Sequence, residues 1–147
     1  MVIRLEDNLR DKLEKKLKGL DNLEPVMRTV AVLMKQAIWK NFEAEGRDEK
    51  GNTRTWQPLA PSTVKQREKY KGKRYGAHPI LERTGHLKKS FSTEYSYSYA
   101  KVGTGVKYGI YHQTGTRKMP ARPMLVLPKE DLENIKKVIL RYLTQKK

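Results

Sequence analysis

Few side chains in this sequence have the type and spacing that chemistry needs. Proton transfer would fall to His78, His86 and His112, which do not cluster along the chain. No His-x-x-x-His pair offers a metal site. No Gly-x-Ser-x-Gly turn exposes a nucleophile, and no Gly-x-x-x-x-Gly-Lys run cradles a phosphate. With no cysteine, disulfides and thiolate metal sites are excluded, and a reducing compartment fits. Glu43 and Glu45 sit among other charges at a helix end, where a solvated face explains them. His112, between Tyr111 and Gln113, is the best single candidate for a general base. A base also needs a placed partner, and none is legible, so a structural histidine in a turn is the simpler reading. The sequence calls for no cofactor.

The charge says more. The chain carries +16 over 147 residues, and the excess is local. Met1 to Asn22 is nearly balanced, with six basic and five acidic residues. Pro61 to Lys89 holds nine basic residues against Glu68 and Glu82. Gly105 to Pro128 holds Lys107, Arg117, Lys118 and Arg122 with no acid. Such a field attracts a polyanion or an acidic protein surface. No helix-turn-helix or zinc-finger pattern is present to read bases, so contact with DNA would be to phosphates, sequence-independent and salt-sensitive. Tyr95, Tyr97 and Tyr99 could stack bases, but they lie outside the most basic segment, and covering a helix is the plainer role for them.

The elements that must position these residues follow from periodicity. At 147 residues one domain, 1–147, is expected. Met1–Leu5 reads as a short edge strand. Leu9, Leu13, Leu17 and Leu20 recur at helical spacing, which predicts an amphipathic helix from about Asp7 to Lys18. A second, longer helix starts near Pro25. Its apolar stripe comprises Val26, Val30, Leu33 and Ala37 with Met27, Met34, Ile38 and Phe42, and Gly46 stops it. Residues 47–79, rich in charge, Gly and Pro, read as an extended loop or arm. Within it Ser62 or Thr63 could cap a short basic helix from about Thr63 to Tyr70. The period of two from Phe91 to Tyr99 predicts a half-buried strand, with Lys101–Thr104 as its partner. Tyr108–Gln113 reads as a helical turn and Met124–Leu127 as a third strand. A last helix carries Leu132, Ile135, Ile139 and Leu143, widened by Val138 and Tyr142. Segregated strands and helices make the class α+β: long helices packed on a small antiparallel sheet, with a long basic loop. Met1–Arg10 is not a secretory signal, and no run approaches the roughly 18 apolar residues of a membrane span.

Ordered glycine- and proline-centred runs remain: Trp56-Gln57-Pro58-Leu59, Pro61-Ser62-Thr63, Ile80-Leu81 with Thr84-Gly85 and Leu87, Val102-Gly103-Thr104, Tyr108, His112-Gln113 with Gly115-Thr116, and Pro120-Ala121-Arg122-Pro123 with Leu125. Taken together, and in this order, they resemble the phage virion morphogenesis proteins, which include the tail-completion proteins of contractile-tailed phages such as Mu and P2. The matching runs span about Trp56 to Leu125. The lysine-rich stretch Lys65 to Lys73 is not part of the pattern.

The resemblance implies a neck or tail-completion protein with no catalysis and no cofactor. It implies a homo-oligomeric ring, expected to be a hexamer, at the head–tail junction of a virion assembled in the host bacterial cytoplasm. The expected partners are copies of the chain, tail tube or terminator proteins and connector proteins, with sequence-independent contact to duplex DNA and none to membrane. Trp56, Pro58, Leu59, Thr84, Gly85, His112 and Arg122 are the candidate subunit or partner contacts. Trp56 either anchors a neighbour or folds back onto its own core. Lys65, Arg67, Lys69, Lys71, Lys73 and Arg74 are the candidate DNA-facing residues. Two rival readings stay open: a small basic nucleic-acid-binding protein, and an enzyme acting on RNA through His112 and Arg122.

Overall fold

A computed structural model describes residues 2–5, 23–71, 77–82 and 84–145. The expected helix from Asp7 to Lys18 lies outside them.

The longest helix, α1 (Glu24–Glu43), is the spine of the core. Pro25 sits in the first turn, where its missing N–H removes no intrahelical bond, and Glu24 and Lys40 suit the helix dipole at their respective ends. The apolar stripe is buried as its spacing demands: Val26, Met27, Val30, Met34, Ile38 and Phe42. Each such side chain removed from water contributes about 1.5–3 kcal/mol before conformational entropy is counted. The helix ends in a tight reversal. Glu45 and Gly46 both take positive φ, and the returning strand of chain is bonded from Trp56 N–H to the Glu45 carbonyl at 3.0 Å. A Cβ at Gly46 would lie 2.7 Å from the Trp56 nitrogen, so only glycine fits there.

Three short strands, β1 (Val2–Leu5), β2 (Ser92–Tyr95) and β3 (Ala100–Gly103), form one antiparallel sheet in the order β1-β3-β2. Val2 and Ser92 both pair with Gly103, and Leu5 and Tyr95 with Ala100. β1 is an edge strand, as expected. The strand expected from Phe91 to Tyr99 is cut short at Tyr95. Residues 96–99 make the hairpin turn instead, closed by Ser96 N–H to the Tyr99 carbonyl at 2.9 Å and supported by Ser98 N–H on Ser96 Oγ. Serine hydroxyls that bond nearby backbone favour turns over strands, and here that outweighs the alternation.

α1 packs on β2 and β3 on one side and on α5 (Lys129–Gln145) on another, through the buried Ile135 and Ile139. Phe42 meets Trp56 edge-to-face at 5.4 Å and Phe91 at 5.9 Å. The expected third strand, Met124–Leu127, does not form. Its backbone is satisfied by side chains instead: Asn41 Nδ2 donates to the Met124 and Val126 carbonyls at 2.7 and 2.9 Å, while the N–H groups of Met124 and Leu125 donate to Gln113 Oε1 at 2.8 and 3.0 Å. Among the described residues no helix is long and apolar enough to cross a membrane.

Candidate docking cleft

Three short elements surround a cleft of about 470 Å³. The first wall is α2 (Pro61–Lys71), which contributes Thr63, Gln66 and Arg67, with Leu59 just before it. α2 begins earlier than expected, so Ser62 and Thr63 lie within its first turn rather than capping it. The second wall is Leu81 and Thr84 with Leu87 of α3 (His86–Lys89). The third is Tyr108 with His112 of α4 (Gly109–Thr114).

The walls are fixed from behind. Arg122 is 4% exposed. Its backbone N–H donates to the His112 carbonyl at 2.6 Å, and its guanidinium donates through Nε to the Gln57 carbonyl at 2.8 Å and through Nη2 to the Pro58 carbonyl at 2.9 Å. One residue, through its backbone and its side chain, thereby joins α4 to the segment that carries Leu59. Burial lowers the Arg122 pKa, and no carboxylate pairs with it among the described residues. The two carbonyls replace the water its charge has lost. Trp56 is just as buried and donates its indole N–H to the Pro123 carbonyl at 2.8 Å. On the second wall, Ser90 Oγ donates to the Leu87 carbonyl and meets Thr104 Oγ1, each at 2.6 Å, which ties α3 to the chain leaving β3. Glu45 Oε2 accepts the Ile80 N–H at 3.0 Å and pairs with His78 at 2.7 Å. Arg67 donates to the Pro79 carbonyl at 2.8 Å.

The site residues read from the sequence therefore separate into two groups. Leu59, Thr84 and His112 meet on the cleft, with Gly85 beside Thr84 at the start of α3, where its positive φ turns the chain. Trp56, Arg122 and the carbonyl of Pro58 lie behind it as scaffold. Of the basic residues, Lys65 and Lys69 are exposed on α2. Arg67 points inward and is 3% exposed, so it does not face a polyanion. Lys71 closes α2, and Lys73 and Arg74 lie outside the described residues. Sequence reasoning missed the role of Asn41. The available signal was a polar residue set between Ile38 and Phe42 in an apolar stripe.

His112 is the candidate proton-transfer group of the cleft. His112 Nδ1 is buried with no hydrogen-bond partner among the described residues. Burial first, and then the Arg122 charge, hold its pKa below the usual histidine value, so the ring is neutral near pH 7. Tyr108 meets it edge-on at 6.0 Å. Among the described residues no carboxylate lines the cleft to orient the ring, and no group of three or more His, Asp or Glu could hold a metal. Leu59, Leu81, Leu87 and Tyr108 instead give apolar walls, dotted with hydroxyls and an amide.

The cleft and its frame sit on an α+β fold. The phage virion morphogenesis family matches residues 4–144, and the chain belongs to it. It is a phage virion structural protein. It is similar to the Mu-like prophage FluMu G protein 1 of Haemophilus influenzae, with 34% identity over 136 residues covering 89% of this chain and 86% of that protein. It is also similar to the FluMu G protein 2 of the same organism, with 30% identity over 137 residues covering 88% and 85%. No solved structure matches.

Proposed function

We propose that this chain completes the phage tail and joins it to the head, as one copy in a ring on the particle axis. One observation carries the reading. Leu59, Thr63, Leu81, Thr84, Leu87, Tyr108 and His112, drawn from runs scattered along the chain, line a single cleft with apolar walls. Ring closure requires one surface of a subunit to meet a different surface of the next, and a concave site with a fixed frame supplies one half of such a contact. The partners are further copies of the chain, expected to number six, with tail tube or terminator proteins and connector proteins above and below. Lys65 and Lys69, exposed on α2, favour sequence-independent contact with the DNA that passes through.

The test is the solution mass of the purified protein at low and high salt, alone and with purified tails lacking it. A discrete ring-sized species, or a monomer that becomes one on tails, is expected. Thr84→Arg, an exposed rim position, should block that assembly while leaving the fold intact. A strict monomer that ignores tails but shifts duplex DNA supports the rival reading, a small nucleic-acid-binding protein, and overturns this one.

A further inference from the structure

The outer side of α4 continues the exposed surface past the cleft, with Tyr108 shared between the two. Ile110 and Tyr111 are 51% and 54% exposed, and Tyr108, at the rim of the cleft, is 43% exposed. Lys107, exposed in the turn that leads into α4, precedes them in the chain. The chain then folds directly into the turn Thr116–Met119, which carries the exposed Arg117 and Lys118. Along this one stretch of chain three exposed cations, Lys107, Arg117 and Lys118, accompany three large exposed side chains, Tyr108, Ile110 and Tyr111. Among the described residues no carboxylate pairs with Lys107, Arg117 or Lys118, and Gly105 to Pro128 contains no acid. Elsewhere Lys88 is paired with Glu82, Lys101 with Glu94 and Arg47 with Asp131.

The surface is also preorganised. Gly115 N–H donates to the Tyr111 carbonyl at 2.8 Å, and Thr116 N–H to the Met119 carbonyl at 2.9 Å. Gly115 has φ of 77°, and a Cβ there would lie 2.7 Å from the Ala121 nitrogen, so turn and helix are pressed onto the Arg122 segment. Little ordering entropy remains to be lost on binding.

We infer that this face, Lys107 through Lys118, docks a different protein of the virion, through a patch that is apolar at its centre and acidic at its rim. Tyrosine and arginine over an apolar centre are the make-up of protein interfaces. Duplex DNA is the weaker fit, because phosphate contacts give no use to Ile110 and Tyr111. A second copy meeting this face with the same face fits less well again, because Gly105 to Pro128 holds Lys107, Arg117, Lys118 and Arg122 and no acid to answer them. The inference rests on the virion reading but not on ring closure.

The experiment complements a lysogen lacking this protein with wild type, with Ile110→Ser/Tyr111→Ser, or with Lys107→Glu/Arg117→Glu/Lys118→Glu. The readouts are the amount of the chain in purified particles, the melting temperature and solution mass of each protein, and the shift of a 30-bp duplex. Both variants are expected to melt and self-associate like wild type, to shift the duplex like wild type or nearly so, and to fall in particles by about ten-fold or more. If the charge reversal disturbs folding, the apolar variant decides alone. Variants incorporated at the wild-type level overturn the inference and leave the virion reading standing. Loss of self-association assigns the face to a second copy, and loss of duplex binding by the apolar variant assigns it to DNA. Either outcome overturns the inference. Wild-type protein absent from particles overturns the virion reading and this inference together.

Discussion

Arg122 and Arg117 are five residues apart in one basic, acid-free segment, yet they live in opposite conditions. Arg122 is buried and spends its guanidinium on the Gln57 and Pro58 carbonyls. Arg117 is exposed and has no acidic partner among the described residues. The same division runs through the aromatics. Trp56 is 4% exposed, against Phe42 with its N–H on Pro123, whereas Tyr111 is mostly in water. One region frames the cleft and the other faces outward, although both draw on the same chemical types. Aromatic and basic side chains thus carry no fixed role. What decides is whether orphaned backbone carbonyls lie within reach of the side chain, as Gln57, Pro58 and Pro123 do for the frame.

The comparison can be broken at its extremes. Trp56→Ala should have the largest effect, about 3–5 kcal/mol of lost stability from the cavity beside Phe42 and the abandoned Pro123 carbonyl. Thermal or urea unfolding would measure it, and a loss under 1 kcal/mol would place Trp56 outside the frame. Arg122→Ala comes next. It leaves two carbonyls without their donor, at roughly 1–3 kcal/mol, and it frees Leu59 to move. Hydrogen exchange should rise around residues 57–59 while α1 stays protected.

A smaller effect follows from His112. Its pKa is held down, chiefly by burial and secondly by the Arg122 charge. The unfolded chain takes up a proton near pH 6.5, which the folded chain resists. Stability from this group is therefore complete above about pH 6.5 and declines as pH falls below it, toward the lowered folded value. Replacing His112 with Gln should flatten that part of the stability profile, and an unchanged profile would show that the ring titrates freely. The smallest effects belong to the outer face. Tyr111→Ser and Arg117→Ala should each change stability by less than about 0.5 kcal/mol, because neither touches the frame. A larger loss in either would erase the distinction between the two regions.

Much of this architecture is legible along the chain. The stripe from Val26 to Phe42 announces α1, because a 3.6-residue period of apolar side chains has one stable use, burial of one face. The hairpin, the turn at α4 and the last helix follow from equally local signals. The cleft is legible only as an ordered set of runs that resemble a family, since each run taken alone is an ordinary turn. The misplaced elements share one cause. Residues 124–127 read as a strand because they are apolar and short. Asn41 and Gln113, distant in sequence, take up their backbone groups and leave no ladder to form. Tyr97 and Tyr99 continue the strand's alternation but serve a turn, because Ser96 captures the backbone locally.

By itself, then, the sequence determined which faces are apolar, where charge accumulates, which turns require glycine and which family the chain belongs to. All of these depend on neighbours a few residues apart, or on the order of short runs. Tertiary structure alone decided that Arg67, Arg122 and Trp56 turn inward while Lys65, Arg117 and Tyr111 stay in water. That choice depends on carbonyls supplied from residues 12 to 67 positions away, and no local pattern encodes such a distance.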